Sequence, residues 1–188
     1  AVDTLTGSNT GDGAGRGIPF LHFEEWDEPR IEARMILKGG GSENVGAQYK
    51  LPDGKLEAGR DLEGVRRAVL DAVVAAQGMG CAPGVLGVCV GGGRVAAFEE
   101  SKGQLLRPLK DTSPVPGLAE LEELLLREGN ELGIGPMGFG GKTTLLAVKI
   151  GVLDRLPACY FVTISYMCWA DRKAAVSIDE EGDVTWLS

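Results

Sequence analysis

Three clusters of glycine, each flanked by apolar segments, constrain this sequence most strongly. They occupy residues 39–41, 91–93 and 133–141, and the chain has 29 glycines among its 188 residues. That is roughly double the share of ~7% typical of globular proteins. Disorder does not explain the excess, because the neighbouring segments are apolar enough to pack into a core. Glycines between ordered elements indicate tight backbone turns, and we expect these turns to converge on one place in the fold.

The third cluster, GIGPMGFGGKTTLL at residues 133–146, resembles a phosphate-binding loop but departs from one in two respects. The pattern G-x-x-x-x-G-K-[ST] requires a glycine where this chain has Pro136. A P-loop also follows a strand and opens a helix, whereas here a helical leucine pattern precedes the loop and the strand-like LLAVKIGV follows it. We interpret the segment as a structural turn or as backbone placed close to another ligand. A P-loop NTPase is the disfavoured alternative.

The remaining pattern alternates helices with short strands. Helices are predicted over residues 60–78, 94–106 and 118–132, and strands over 18–26, 30–37, 85–90, 145–152 and 160–166. Gly78 is the expected end cap of the first helix. Residues 1–17 and 50–59 are predicted as loops, and the last fifteen residues as two short strands around DEEGD.

This alternation favours a single α/β domain in which helices flank a layered sheet. Hairpin signals near both ends indicate a mixed sheet. The first hairpin would join residues 18–26 to residues 30–37, with His22 and Glu24 on the same face.

Charge and composition restrict the partners. The net charge is −8 and the pI is about 4.8, which disfavours a nucleic-acid partner. Apolar runs are shorter than the ~20 residues of a spanning helix, and no secretory leader is visible, so we expect a cytoplasmic chain without a membrane partner.

The chain has four cysteines and one histidine. No cysteines form a C-x-x-C pair, so zinc-ribbon and thioredoxin motifs are absent from the sequence. Cys89 and Cys159 lie in strand-like runs and are interpreted as small core residues. Cys81 follows a helix end in a glycine- and proline-rich turn, and Cys168 follows a strand; such positions favour ligands. His22 has no nucleophile motif beside it and is interpreted as structural.

Four blocks together resemble the α region of class I fumarases, the family of iron–sulfur hydro-lyases that includes L-tartrate dehydratase. They are KGGGSEN, GMGCAPGVLGVCVGGG, GIGPMGFGGKTTLLAVKI and RLPACYFVTISYMCWADRK. Their order and spacing agree with the family from about residue 37 to residue 170.

The resemblance implies a [4Fe–4S] cofactor held by three cysteine thiolates, with one iron free to act as a Lewis acid. It gives Cys81 and Cys168 as two ligands, and Gly40 and Gly41 as contacts to a small dicarboxylate substrate. It also implies reversible hydration of a dicarboxylic acid, most simply fumarate to malate, and a homo-oligomer. Residues 133–141 would then support the cluster, with a weaker suggestion that Lys142 adds positive charge.

The sequence departs from the family's pattern in segments that it lacks and at two places within it. The family's third cysteine and its expected base lie in a Cys-Gln-Asp-Thr-Gly segment, which is absent here, so the catalytic residues are unknown. We therefore expect residues 1–188 to be a partial α domain that lacks the N-terminal ligand segment and the C-terminal β region or subunit, and that is inactive alone. The family histidine expected before Pro157 is Leu156, and GGGR at residues 91–94 replaces the commoner GGT or GGD.

An accessory module is the alternative function. A non-catalytic iron–sulfur or structural module fits the missing ligand and base, although such a module has no need for the KGGGSEN loop. The sequence leaves open the choice among fumarate, tartrate and mesaconate.

Overall fold

The computed structural model describes residues 1–187. Its strands are β1 Ile31–Ile36, β2 Ala47–Lys50, β3 Gly84–Gly91, β4 Leu145–Leu153, β5 Phe161–Met167, β6 Lys173–Ile178 and β7 Val184–Trp186. Its helices are α1 Gly40–Asn44, α2 Leu62–Ala76, α3 Arg94–Gln104 and α4 Pro116–Glu131, and a 3-10 turn spans Pro136–Gly138. The predicted α/β class is confirmed, with two sheets rather than one.

A four-stranded sheet in the order β2-β5-β3-β4 forms the centre of the fold. Strands β3 and β4 are parallel and the other pairs are antiparallel, so the sheet is mixed as expected. Every residue of β3 and β5 is buried, because helices cover both faces. We call this sheet with α2, α3 and α4 the body.

The two faces of the body hold different helices. On one face, side chains of α2 and α4 pack against β3, β4 and β5 around Leu86 and Val88. On the other face α3 approaches β3 closely, since a Cβ placed on Gly87 would lie 2.0 Å from the carbonyl oxygen of Ser101. The hydroxyls of Ser101 and Ser165 meet there at 2.7 Å. Burial on both faces explains why these strands are continuously apolar in the sequence.

A second, three-stranded antiparallel sheet, in the order β1-β6-β7, extends from the body; we call it the arm. The predicted strand at residues 30–37 is confirmed as β1, but the hairpin with residues 18–26 is wrong. Leu37 N donates to Arg172 O at 2.9 Å, and β1 pairs along its length with β6 instead. Residues 18–26 form no strand and are exposed. His22 Nε2 and Glu24 Oε1 nevertheless lie 3.2 Å apart on this segment.

The remaining predictions are mostly confirmed. The three long helices and the strands β3, β4 and β5 begin and end within a few residues of their predicted bounds. The last two strands pair as β6 and β7. The sequence pattern missed α1 and β2. Gly78 is not the cap of α2; Gln77 takes that position with φ 46°.

A partly buried ionic network joins the body to the segment that follows α3. Lys149 of β4 is 3% exposed, and its Nζ lies 2.7 Å from Asp111 Oδ1. The guanidinium of Arg107 contacts both Asp111 and the buried Glu122, which also accepts from Ile150 N at 2.7 Å. Burial by itself would raise the pKa of Asp111, but hydrogen bonds from Arg107 and Lys149 outweigh it and lower that pKa.

Among residues 1–187, no helix combines the length and the apolar character required to cross a bilayer.

Candidate functional site

Three turns from distant parts of the sequence meet at one end of β3 and β5. They are residues 38–43, residues 78–81 and residues 166–169. A Cβ placed on Gly41 would lie 2.9 Å from Met79 O and 4.0 Å from Cys81 Sγ. Trp169 N donates to Cys81 O at 3.3 Å, which brings the backbone beside Cys168 against the Cys81 turn. The structure therefore gathers Gly41, Cys81 and Cys168 into one region.

The turn that carries Cys81 contacts the glycine-rich loop at residues 133–141. Cys81 has φ 60°, a left-handed conformation that costs a non-glycine residue free energy, and its N–H donates to Gly78 O at 3.1 Å. Met137 N donates to Ala82 O at 3.0 Å. Gly78 has no room for a side chain, since a Cβ would lie 2.2 Å from the carbonyl of Met137. Residues 133–141 thus support the turn that carries Cys81.

The same loop lacks the architecture of a nucleotide-binding loop. It leads from the end of α4 into β4, so the predicted order of helix, loop and strand is confirmed. A P-loop needs the N-terminus of a following helix to meet phosphate, and a strand follows here. Lys142 is exposed in this loop.

Gly40 and Gly41 differ in what surrounds them. Both lie in the first turn of α1, where backbone N–H groups have no partner within the helix. A Cβ on Gly40 would meet nothing within 4 Å, whereas a Cβ on Gly41 would press on Met79 O. Gly41 is therefore required for packing beside Cys81, and Gly40 borders open space.

The side chain of Lys38 connects the KGGGSEN turn to the end of β5 through a hydrogen bond. Its Nζ donates to Tyr166 O at 2.6 Å and lies 3.0 Å from Glu43 Oε2, which is held in turn by Lys102 at Oε1. Burial lowers the pKa of Lys38, and the Glu43 carboxylate opposes that shift. Burial alone would raise the pKa of Glu43, but the hydrogen bonds from Lys102 and Lys38 lower it overall. The Lys38 ammonium is thus fixed at the end of β5, two residues before Cys168 in the sequence.

The buried hydroxyl of Tyr166 lies against Gly84, three residues after Cys81. Its ring is confined by two glycines, because a Cβ on Gly80 or Gly84 would lie 2.6 Å or 2.1 Å from ring atoms. Burial raises the pKa of Tyr166 to about 12, and the neighbouring thiols of Cys81 and Cys168 add to the rise. Within residues 1–187 the hydroxyl has no hydrogen-bond partner. An unmatched buried donor costs about 1–3 kcal/mol, so this donor suits a group with lone pairs held at the thiols.

The other candidate residues lie elsewhere. Cys89 is fully buried in β3, where burial, with a smaller effect of Glu100, raises its pKa to about 12. Cys159 is not in a strand as expected; it is half-buried in the turn before β5, because the chain reaches the sheet only at Phe161. His22 lies on the exposed segment before β1 and has a half-exposed side chain.

The described part of the chain contains no group of three His, Cys, Asp or Glu side chains arranged to hold a metal ion. Cys81 and Cys168 are both unbridged and half-buried. Their role as ligands stays a prediction, as does substrate contact by Gly40 and Gly41.

Sequence reasoning missed Lys38 and Tyr166. A signal exists for each, since Lys38 opens the KGGGSEN block and Tyr166 stands two residues before Cys168, near the end of a predicted strand. Lys38 and the Tyr166 carbonyl that it binds are 128 residues apart in the sequence, and no local pattern reveals that contact.

An open groove of about 610 Å³ lies at the other end of the parallel strands, lined by Val90, Leu153, Arg155 and Tyr160 among others. The guanidinium of Arg155 stacks on the Tyr160 ring at 4.8 Å and donates to three carbonyl groups of its own turn. Because β3 separates this groove from Cys81 by its whole length, we place the candidate site at the cysteines.

Comparison with known proteins gives the following matches. The family described as fumarate hydratase (fumerase) matches residues 1–177. A putative class I fumarate hydratase of Geobacillus stearothermophilus is 49% identical over 192 residues, covering 100% of this chain and 37% of the relative. A putative L(+)-tartrate dehydratase subunit alpha of Methanocaldococcus jannaschii is 37% identical over 177 residues, covering 92% of this chain and 60% of the relative.

The L(+)-tartrate dehydratase subunit alpha of Escherichia coli K12 is 32% identical over 180 residues, covering 95% of this chain and 57% of the relative. The chain thus spans between 37% and 60% of the length of these three relatives.

Proposed function

Because the chain belongs to the class I fumarate hydratase family, we propose that it forms part of an iron–sulfur hydro-lyase that hydrates fumarate to malate reversibly. The observation that carries the proposal is the meeting of Gly41, Cys81 and the backbone beside Cys168 at one end of the body. Fumarate is preferred over tartrate because the relative named a fumarate hydratase is more similar to this chain than those named tartrate dehydratases.

This chain supplies two of the three cysteine thiolates that the proposed cluster requires. Cys81 and Cys168 are unbridged and half-buried, and the buried Tyr166 hydroxyl, which has no hydrogen-bond partner among residues 1–187, suits a sulfur-rich acceptor. When bound, a [4Fe–4S] cluster supplies a Lewis-acidic iron that polarises a hydroxyl or carboxylate oxygen. The third ligand and the catalytic base come, in this proposal, from a region outside residues 1–188.

The residues of this chain bind and orient the substrate. The N–H groups at Gly40 and Gly41 lie in the first turn of α1, where they have no partner within the helix, and no side chain on Gly40 blocks the approach of a carboxylate. Lys38 holds that turn in place through Tyr166 O and adds a positive charge beside it. Together they bind one end of a small dicarboxylate next to the cysteines.

An anaerobic hydration assay tests the activity. The intact gene product that contains this chain is purified without oxygen and offered fumarate, L-tartrate and mesaconate in parallel. We expect turnover with fumarate that is lost after exposure to air. A fully loaded cluster without turnover on any of the three acids would favour the accessory module instead.

The ligand assignment is tested by four serine variants of the same protein. Cys81→Ser and Cys168→Ser should each remove most of the iron and acid-labile sulfide. Cys159→Ser, half-buried like them, is the matched control and should retain both; Cys89→Ser should mainly lower stability, because its site is fully buried. Normal iron content in Cys81→Ser would refute the assignment.

A further inference from the structure

The segment that leads from β5 of the body to β6 of the arm begins with Cys168 and ends with Arg172. Within it Asp171 N donates to Cys168 O at 3.1 Å and closes a tight turn at residues 168–171, here called the Cys168 turn. Asp171 has φ 39°, a left-handed conformation that costs a residue with a side chain free energy. Contacts outside the turn must therefore hold Asp171 in place.

The carboxylate of Asp171 pairs with Lys173, the first residue of β6. Asp171 Oδ2 lies 3.0 Å from Lys173 Nζ, and the two side chains are 11% and 21% exposed. The same ammonium donates to Arg107 O at 2.9 Å and to Leu105 O at 3.3 Å, just beyond the end of α3. Lys173 thus connects the Cys168 turn to the end of a helix of the body.

The second carboxylate oxygen of Asp171 indicates that this pair is not kept for stability alone. Among residues 1–187, Asp171 Oδ1 is buried and has no hydrogen-bond partner. A charged oxygen that is buried without a partner is unfavourable, and replacing buried ion pairs by apolar residues often stabilises a protein. Two unfavourable features, this oxygen and the left-handed backbone, therefore occur in one residue of the Cys168 turn. Such features persist where they fix a functional geometry.

The chain is also held on the other side of Cys168. Lys38 Nζ donates to Tyr166 O at 2.6 Å, two residues before the cysteine. One lysine therefore binds the chain before Cys168, and a second, Lys173, binds it three residues after Cys168 through the carboxylate of Asp171. The half-buried thiol lies between these two fixed points.

We propose that Asp171 and Lys173 are positioning residues that hold the Cys168 thiol in place for the cluster. This inference rests on the proposed function, which makes Cys168 a ligand. Neither side chain contacts the substrate in this proposal, because the ion pair acts by fixing the Cys168 turn against the end of α3. A ligand that is held in place before binding loses less conformational freedom when it binds, so the pair should also slow the release of iron.

The first measurement labels the thiols of the cluster-free intact gene product with iodoacetamide. Peptide-resolved mass spectrometry gives the labelling rate of Cys168, with Cys159, also half-buried, as the reference in the same molecules. Asp171→Asn and Lys173→Met each break the ion pair, and Asn tolerates the left-handed backbone. We expect each variant to raise the labelling rate of Cys168 by about threefold or more and to leave that of Cys159 within about twofold of wild type.

The two variants change the charge in opposite directions. A direct effect of charge on the Cys168 thiolate would therefore raise the labelling rate in one variant and lower it in the other, whereas loss of positioning raises it in both. Opposite changes would overturn the proposal, as would an unchanged Cys168 rate in both variants. If circular dichroism shows that Lys173→Met unfolds, the double variant Asp171→Asn/Lys173→Met decides, because it leaves no charge of the pair buried without its partner.

Glu32→Gln is the matched control. Glu32 is another carboxylate of the arm, it is 16% exposed and it pairs with Arg34, but it lies opposite Ser177 of β6 and away from the Cys168 turn. We expect this variant to leave Cys168 labelling within about twofold of wild type, and Lys173→Arg, which keeps the cation, to restore the wild-type rate to the same extent. Equal increases in Glu32→Gln and Asp171→Asn would show a general loosening of the arm and overturn the proposal.

Release of iron separates this inference from the proposed function. In cluster-loaded protein a chelator should remove iron about threefold faster, or more, from Asp171→Asn than from wild type or Glu32→Gln. Equal rates in all three would overturn the role of the pair toward the cluster. Labelling that follows the expected pattern, in a protein that neither assembles a cluster nor hydrates fumarate, would refute the proposed function and leave the pair as the anchor of the Cys168 turn.

Discussion

In the body every residue of β3 and β5 is buried, whereas in the arm no residue of β1, β6 or β7 is. Strands of both sheets contain apolar residues, yet those of β3 and β5 are buried in the core, whereas among the arm residues Ile36 is packed against it from a partly buried position. Burial of apolar area therefore stabilises the body more than the arm, where Ile31, Met35, Val184 and Trp186 are exposed. The candidate site lies at the junction of the two.

The largest expected effect is a difference in the free energy of unfolding between a substitution in the core and one in the arm. Leu86→Ala removes a fully buried side chain of β3 and should lower the free energy of unfolding by about 2–5 kcal/mol. Ile31→Ala removes a mostly exposed side chain of β1 and should change it by less than about 0.5 kcal/mol in the chain alone. Urea denaturation followed by circular dichroism measures both; a loss above 2 kcal/mol for Ile31→Ala would show that the arm has its own core.

The next largest effect is expected from substitutions of Gly41 and Gly40, at the junction of the body and the arm. Gly41→Ala forces a methyl group to 2.9 Å from Met79 O and should cost about 1–3 kcal/mol of stability. Gly40→Ala meets open space in a helical turn and should leave stability unchanged or slightly higher. In the intact gene product, Gly40→Ala should instead weaken fumarate binding. Unfolding curves and substrate KM values distinguish the two, and identical behaviour of both variants would contradict the distinction between packing and binding.

A smaller effect, of opposite sign, is expected at Tyr166. Tyr166→Phe removes the orphaned hydroxyl and keeps the ring between Gly80 and Gly84, so it should raise the stability of the cluster-free chain by about 1 kcal/mol. In cluster-loaded protein the same change should accelerate loss of iron to a chelator, because the donor is gone. Reduced stability of the cluster-free variant would indicate that the hydroxyl already has a partner.

The smallest effect is a dependence on pH where the arm meets the body. The folded pKa of Asp111 lies below its ordinary value of 3.8, so its ion pairs contribute stability that is present above about pH 3.8 and is lost as the pH falls through the folded pKa. The same segment holds Lys173 of the arm through Arg107 O. Asp111→Asn should flatten the decline in stability below pH 4. An unchanged acid profile would assign the decline to other carboxylates.

The body was predictable because its signals are local and strong. Continuous apolar runs at β3 and β5 and the stripe of valines and alanines in α2 each indicate one structure over many residues. The order of helix, loop and strand around residues 133–146 was likewise readable, and it was enough to disfavour a P-loop.

The misses have a shared physical cause, which is dependence on distant partners. β2 is only four residues long and is a strand because β5, more than 110 residues later, provides an edge. Residues 18–26 alternate like a strand but find no such edge, because β1 pairs with β6. The tight turn around Cys81 depends on Met137, and the place of Lys38 depends on Tyr166 O. The resemblance to a known family gave both cysteines, but it gave neither Lys38 nor Tyr166.

The strict two-residue alternation of the arm restricts how this part of the gene can change. Inserting or deleting one residue within β6 would exchange its faces, moving Ala174, Val176 and Ile178 to the side of the sheet that now carries Lys173 and Ser177. Length changes there should therefore occur in pairs or be confined to the turn at residues 179–183. Hybrid chains that exchange arms between members of this family should be joined at matching strand positions, since an offset of one residue would invert the two faces of the sheet.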